Sequence, residues 1–488
     1  MRIAIIGAGP CGIAAGRELL KKGFDQFTII DALDAPGGTW RLHSYPGLAC
    51  DVWAHSYSFS YRPNPDWSAS FVEQSEIQAY LAQSAQEFGL SEHIRLNTRI
   101  LSAQWQAEGH WRLNTDAGED IEAEVVINAM GNQHTPLYPD VPGRDSFSGP
   151  SWHGTRWNHD VDLSDKHVVV VGSAACAVQV VPEVAKQAKQ LTVLQRSANW
   201  IMPRGRKIYS ETQRERFRRF PALINVTRRI QGLLMGQVNN AATLGHKRMG
   251  QFEKVALNYL EREIADPELR RALTPDSRYG CKRGLVSDDF YPALNRDNVT
   301  LVAQGLAEVT KTGIVTQDGT DIDCDVIIYC TGYRIMDFDR IAVTGVDGLD
   351  LAEVLGDHPR AFKGIATPGF PNYFYAMGPN ALVLNASYFR TAELNVSSIV
   401  RLLDEMRSAQ KTAIDVRPER CADYCRWMGE RFPRYSWAAP DCQSYYRNAS
   451  GYPPFLFPGS FKEYRKEHRS LSLDDFREPS GTPAAKAA

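Results

Sequence analysis

The chain has no apolar run approaching the roughly 18 to 20 residues of a membrane span. It has no C-x-x-C pair, and its cysteines and histidines do not cluster at metal-ligand spacing. A dominant charge is also missing, since 55 Lys and Arg stand against 57 Asp and Glu, a formal net charge of -2. These absences exclude a membrane-spanning helix, a zinc site, and the strongly basic surface that nucleic acid requires. Nine cysteines, an odd number without framework spacing, read as reduced thiols of a cytoplasmic protein. Cys421 and Cys425 read as ordinary helix residues. The opening Met1-Arg-Ile-Ala-Ile-Ile reads as a strand and not as a signal peptide. No metal site is expected, and the balanced charge makes small ligands the expected partners. At roughly 100 to 200 residues per domain, the length of 488 residues gives two to four domains.

Two signatures of the same kind are present. In the first, the strand Arg2–Ile6 breaks into Gly7-Ala-Gly9-Pro-Cys-Gly12 and a helix through Lys22. Gly7 permits the tight turn, Gly9 lets backbone amides approach a pyrophosphate, and Gly12 lets helix and strand pack closely. The following strand, Phe27–Ile30, ends in Asp31, a carboxylate placed to accept from a ribose hydroxyl. In the second, Val168–Val171 leads into Gly172-Ser173-Ala174-Ala-Cys-Ala177. Ala177 is an accepted third member, whereas Ala174 adds a methyl where the pyrophosphate must come close. The next strand ends in Arg196, where a guanidinium binds a 2'-phosphate and a carboxylate would repel it. The first unit therefore reads as an FAD site and the second as an NADPH site.

Between them lies Phe147-Ser-Gly149-Pro-Ser-Trp-His153-Gly-Thr-Arg-Trp157, which reads as a hinge that turns tightly at Gly149, hydrogen-bonds through His153 and buries the indole of Trp157. Gly37-Gly38-Thr39-Trp40 through Asp51 is rich in turn formers and aromatics and reads as a structured functional loop. Ser75–Phe88 has helical periodicity, and Ile94–Trp105 with Trp111–Asn114 reads as paired strands. Residues from about Lys207 to Ala272 turn helical, and the basic run Arg214–Arg219 reads as a solvated helix face. The expected architecture is α/β: a first dinucleotide-binding part over 1–145, a second over 146–335 with a helical insertion at about 205–280, and a return to the first over 336–488. The tail after Pro479 reads as disordered.

F-x-G-x-x-x-H-x-x-x-W over 147–157 resembles the fingerprint of the type I Baeyer-Villiger monooxygenases. Gly38, Trp40, Tyr45, Pro46, Gly47 and Asp51 match that family's second pattern at every fixed position. Tyr279-Gly-Cys-Lys282-Arg283-Gly284 and Asn295-Arg-Asp-Asn298-Val resemble its K-R-P and N-R-x-N-V segments. Gly284 replaces the proline, and Asn158 follows Trp157 where the family has Pro or Asp. The resemblance implies a flavoprotein that uses NADPH and O2 to convert ketones to esters or lactones through a C4a-peroxyflavin. It implies that the loop of Gly38, Thr39 and Trp40 wraps FAD and that the backbone near Ile100 meets the adenine. Lys282 then meets the 2'-phosphate of NADP in the cradle of Gly172 and Ser173. Arg283 is implied to sit over the flavin and to pair with Asp51. It also implies that Cys442–Tyr446 and Phe457–Gly459 border the substrate cavity, with Tyr445 where relatives have Trp.

Three other readings stand beside it. An N- or S-oxygenating flavin monooxygenase would share both cofactors, and Trp157 and Arg283 weigh against it while Asn158 and Gly284 keep it open. A disulfide reductase needs a redox cysteine pair near the flavin, and the spacing shows none. A non-catalytic dinucleotide sensor has no need of Lys282, Arg283 and Asp51 together. The ketone and the oligomeric state are not legible.

Overall fold

Each glycine signature founds a five-stranded parallel sheet in the computed structural model, which describes residues 1–479. The tail after Pro479, expected to be disordered, lies outside the described residues. In the first sheet the spatial order is Tyr373–Tyr375, Val125–Asn128, Ile3–Ile6, Phe27–Ile30 and Ile94–Arg95. Numbered along the chain this is 5-4-1-2-3, the doubly wound order with its switch point at the founding strand. The second sheet runs Val299–Val302, Gln190–Leu194, His167–Val171, Val326–Tyr329 and Ser151–His153. Its founding strand is again central. Strands flanked by covering elements on both faces must be apolar throughout, and Ile3–Ile6 and Val168–Val171 are buried along their whole length.

The duplication extends further. Each unit inserts a small antiparallel sheet, Ile100–Trp105, Trp111–Thr115 and Asp120–Ala123 between the third and fourth strands of the first, and Leu306–Val309, Gly313–Thr316 and Asp321–Asp323 between the fourth and fifth strands of the second. The first is joined by a fourth strand, Ala342–Thr344, on its way back from the second unit. The helix Tyr388–Ser408, begun by Ser387, whose side chain accepts from Arg390 N–H, then packs against the first-unit helix Pro10–Lys21. Strand Tyr373–Tyr375 and this helix thus return the chain to the first sheet.

Three expectations need correction. Ile94–Trp105 is not one strand: Asn97 takes a left-handed φ of 51°, a conformation asparagine tolerates, so Ile94–Arg95 joins the first sheet and Ile100–Trp105 opens another. The connector over 147–157 is not a free hinge, because Ser151–His153 is an edge strand of the second sheet, parallel to Val326–Tyr329. The thiols are not all reduced either. Cys281 and Cys442 form a disulfide across 161 residues of sequence with Cα atoms 5.5 Å apart; a bridge spanning such a separation carries no local spacing signal. The remaining seven cysteines are free, with Cys421 and Cys425 inside the helix Pro418–Gly429.

The helical stretch consists of Glu211–Arg219, Ala222–Ala241, Arg248–Glu263 and Pro267–Leu273. Glu211–Arg219 has no buried residue, and Arg218 pairs with Asp66 at 2.5 Å and Glu211 at 2.7 Å, as befits a solvated face. Among the described residues no helix is long and apolar enough to cross a membrane.

Candidate functional site

The first cradle is closed and tightly drawn. Gly7 holds φ at 112°, and a Cβ there would lie 2.7 Å from the Ala129 carbonyl oxygen; only glycine fits such a turn. A Cβ on Gly12 would lie 1.9 Å from the Gly7 carbonyl oxygen, and one on Gly38 2.9 Å from the Gly9 Cα. Gly38 therefore lies directly over Gly9, and the short helix Thr39–Leu42 starts from it. Trp40 is buried and its Nε1–H donates to the Tyr57 hydroxyl at 3.1 Å. Asp31 is buried at the end of its strand, accepting from Ala8 N–H at 2.6 Å and Leu33 N–H at 2.8 Å. Thr98 N–H donates to the Asp31 carbonyl at 2.9 Å, which brings the segment leading to the buried Ile100 beside the acid. Bare turn backbone, helix N-terminus and strand-end carboxylate fit one dinucleotide.

The second cradle repeats the turn and changes its chemistry. Gly172 also holds φ at 112°, with the Cys330 carbonyl oxygen 2.6 Å from where its Cβ would stand. Ser173 is buried, its carbonyl accepting from Asn199 Nδ2 at 3.1 Å. Ala174 is exposed and Ala177 is buried at the start of the helix Ala177–Gln187. Arg196 is exposed at its strand end. Lys282 reaches the same place, donating from Nζ to the Ser197 Oγ at 2.6 Å and to the Ala198 carbonyl at 3.2 Å. Burial lowers the Lys282 pKa, Asp276 opposes that, and the Arg196 charge lowers it further. Neither cation forms an ion pair among the described residues. Two neighbouring cations with no carboxylate in ion-pair contact fit a 2'-phosphate.

The two cradles are joined at their front. Arg283 Nη2 lies 2.5 Å from Asp51 Oδ2, with the two side chains about one-third and one-quarter exposed. Asp51 raises the guanidinium pKa most, burial opposes it, and Tyr445 and Tyr446 act in the same direction as Asp51. A fixed, partly exposed positive charge thus stands beside Asp51. The loop that carries Asp51 is pinned to the second unit by Tyr45, which donates to Gln179 Oε1 at 3.1 Å, and by Gln179 Nε2, which donates to the Ala49 carbonyl at 2.9 Å. At Gly284, where the K-R-P motif has proline, a Cβ would stand 2.3 Å from the Tyr279 hydroxyl. The tyrosine ring occupies the space the proline ring would take.

In the connector, Phe147 and Gly149 pack together, and a Cβ on Gly149 would meet the Asp325 carbonyl at 2.5 Å. His153 is fully buried and its Nδ1 lies 2.8 Å from Thr155 Oγ1. Trp157 is only partly buried; Trp152 is the buried indole, with Trp157 edge-on to it at 5.6 Å. Tyr333 stands between the units, 5.6 Å from the ring of His43 and 6.2 Å from that of His153. Burial is the main reason His43 is lowered to a pKa of about 3 and His153 to about 4. Gln179 and Tyr333, and the contact Tyr45 makes with Gln179, escaped the sequence reading because side-chain contacts between separate units leave no spacing pattern.

The chain is similar to known proteins over nearly its full length. The profile of flavin-binding monooxygenase-like proteins matches residues 1–341. A Baeyer-Villiger monooxygenase of Streptomyces coelicolor is 37% identical, covering 100% of this chain and 95% of the relative. One from Pseudomonas aeruginosa is 37% identical, covering 97% and 91%. Among solved structures, an oxidized steroid monooxygenase bound to NADP superposes with a TM-score of 0.86 at 28% identity, covering 98% of this chain and 99% of that one. Cyclohexanone monooxygenase from Rhodococcus sp. Phi1 bound to NADP+ gives 0.87 at 26% identity, with the same coverage.

Proposed function

The chain belongs to the flavin-binding monooxygenase-like family, and from that premise we propose that it is an FAD- and NADPH-dependent Baeyer-Villiger monooxygenase converting ketones to esters or lactones with O2. The observation that carries this reading is the Arg283–Asp51 pair, 2.5 Å apart, at the front of both cradles. FAD, reduced by NADPH, supplies the chemistry that activates oxygen. The residues of this chain supply order and field. In this reading Gly7, Gly9, Gly12 and Asp31 hold the FAD, with Gly38, Thr39 and Trp40 closing over it and Ile100 beside its adenine. Gly172, Ser173 and Ala177 hold the NADPH pyrophosphate, and Arg196 and Lys282 select the 2'-phosphate. Of the described residues, 1–145 and 336–479 form the FAD unit and 146–335 the NADPH unit, with the fingerprint residues Phe147, Gly149, His153 and Trp157 at their junction.

Arg283 cannot lose its proton near neutrality, so it presents a permanent positive charge to the oxygen that becomes negative as a ketone carbonyl is attacked. Stabilisation of this kind by a preorganised donor is worth roughly 3 kcal/mol. Asp51 orients the guanidinium and leaves one edge of the fork for substrate. The protein works in the cytoplasm as part of this reading, on small ketones, without nucleic acid. The test is a panel of ketones, sulfides and amines with product masses and NADPH consumption measured together. Esters from ketones support the assignment, while sulfoxides or N-oxides with no ester overturn it in favour of N- or S-oxygenation. Pure protein absorbing only near 280 nm after FAD loading would return it to a dinucleotide sensor.

A further inference from the structure

The disulfide fastens the Arg283 segment to a second wall of the site. Cys281 immediately precedes Lys282 and Arg283, and Cys442 opens the turn that ends in Tyr445 and Tyr446. Both half-cystines are buried in a small cluster with Ala439 and Leu244. The far loop is braced within itself by Arg447, which donates to the carbonyls of Ala439 and Cys442, and from Nε to that of Gly451 at 2.8 Å. Its noncovalent ties to the Arg283 segment include a hydrogen bond between Tyr445 and Arg283. Ser436 Oγ donates to the Tyr279 carbonyl at 2.9 Å, and Arg278 pairs with Asp441 at 3.0 Å, both side chains more than half exposed. A surface pair of that kind holds weakly. Tyr445 is half exposed, and its ring lies 4.3 Å from that of the buried Tyr446. Burial pushes the Tyr446 phenol up and the Arg283 charge opposes it.

We propose that Cys281 and Cys442 are a redox-active pair that, as a disulfide, seats the Tyr445–Tyr446 wall against Arg283 and, as two thiols, releases it. This rests on the monooxygenase reading above. In a reducing compartment a disulfide is usually transient, catalytic or sensing, and this one joins the two stretches that must close around a reactive oxygen species to keep water out. The oxidant is hydrogen peroxide, which such an enzyme releases when oxygen is reduced without transfer to substrate. One thiolate attacks a peroxide oxygen, the O–O bond breaks, and a sulfenic acid and water result. The second sulfur attacks the sulfenic sulfur, the S–O bond breaks, and a second water leaves. Two electrons pass from the thiols to the peroxide and the S–S bond forms. Leakage therefore tightens the site that leaks, and a dithiol reverses the step by exchange.

The experiment uses the FAD-loaded protein after hydrogen peroxide or dithiothreitol, beside the double variant Cys281→Ser/Cys442→Ser. Peroxide should yield a linked Cys281–Cys442 peptide by mass spectrometry. In the reduced protein and in the variant, amide hydrogen exchange over 436–447 should quicken about tenfold or more. The share of NADPH appearing as hydrogen peroxide should rise several-fold, with FAD content and the KM for NADPH unchanged. Reoxidation should reverse both changes in the wild type and neither in the variant, which separates the clamp from general destabilisation. Failure of the linked peptide to form, or equal exchange and equal peroxide release in the oxidised protein and the variant, overturns the proposal. The peptide and exchange measurements decide the clamp whichever substrate class the protein accepts, so failure of the ketone assignment is read separately.

Discussion

The two dinucleotide units share a backbone and differ in how they are covered. Gly7 N–H donates to the Ile30 carbonyl at 2.7 Å and Gly172 N–H to that of Leu194 at 2.8 Å. Ile13 N–H reaches the Gly9 carbonyl at 3.0 Å, and Val178 N–H reaches that of Ala174 at 3.0 Å. On this common turn the first unit has Gly38 pressed over Gly9, a third glycine against the strand, and a buried acid bound to two backbone amides. The second leaves Ala174 exposed, places a real Cβ at Ala177 where Gly12 tolerates none, and ends in unpaired cations. A sealed cradle suits a cofactor that stays. An open one with a phosphate-reading rim suits a cofactor that arrives, delivers and leaves, and the same fold serves both by changing only what covers the turn.

The sharpest break in that contrast is at the third glycine position. Gly12→Ala puts a Cβ 1.9 Å from the Gly7 carbonyl oxygen, overpacking that costs about 3 kcal/mol or more, and should be isolated with little bound FAD and a lowered Tm. Ala177→Gly should keep its FAD, and the flavin-to-protein absorbance ratio compares the two. Acid attacks the joint between the units next. His43 and His153 are kept neutral by burial, with pKa values of about 3 and about 4, below the value near 6.5 of the unfolded chain. The unfolded state therefore binds protons that the folded state refuses, so stability falls as pH drops below about 6.5 and keeps falling toward the folded values. At pH 5 this amounts to as much as about 2 kcal/mol for each histidine. Thermal unfolding followed at pH 7 and pH 5 should show the loss, and His43→Phe should reduce it.

Arg196→Ala should weaken NADPH by about tenfold or more, since a charge-assisted contact is worth roughly 1.5 to 3 kcal/mol. NADH should be nearly unaffected, and equal losses in titrations with both cofactors would remove Arg196 from the 2'-phosphate. The smallest effect belongs to Ala174→Gly, which restores the ideal turn. Because Ala174 is exposed, stability should change by no more than about 1 kcal/mol and the NADPH Kd by less than about threefold. A large gain in affinity would mean that the second cradle is closed in solution.

Much of this contrast is legible along the chain because it is local. Strands Ile3–Ile6 and Phe27–Ile30, the turns they feed, and the opposed strand-end charges Asp31 and Arg196 all fall within single strand-turn-helix units, where hydrophobic runs and glycine spacing carry the information. The Asp51–Arg283 pairing came from family resemblance, since no spacing rule joins residues so far apart. What stayed hidden depends on distant segments meeting. Cys281 and Cys442 have no common motif, and Ser151–His153 becomes a strand only because Val326–Tyr329 offers it an edge. Asn97 breaks an apolar run by a backbone angle that residue type permits and does not demand. Gly284 looked like a lost proline until Tyr279 was seen filling its place.

The central claim is that Arg283, held by Asp51 where the cradles meet, stabilises the negative charge on which ester formation depends. Its most direct test is ester yield per NADPH from an accepted ketone in the wild type and in Arg283→Ala, with flavin reduction followed by stopped-flow absorbance. The variant should retain FAD, and its NADPH consumption should end in hydrogen peroxide. Ester formation should fall about 100- to 1000-fold, and Arg283→Lys should recover little because a flexible point charge does not reproduce the planar fork. Near-normal ester yield from Arg283→Ala would contradict the account.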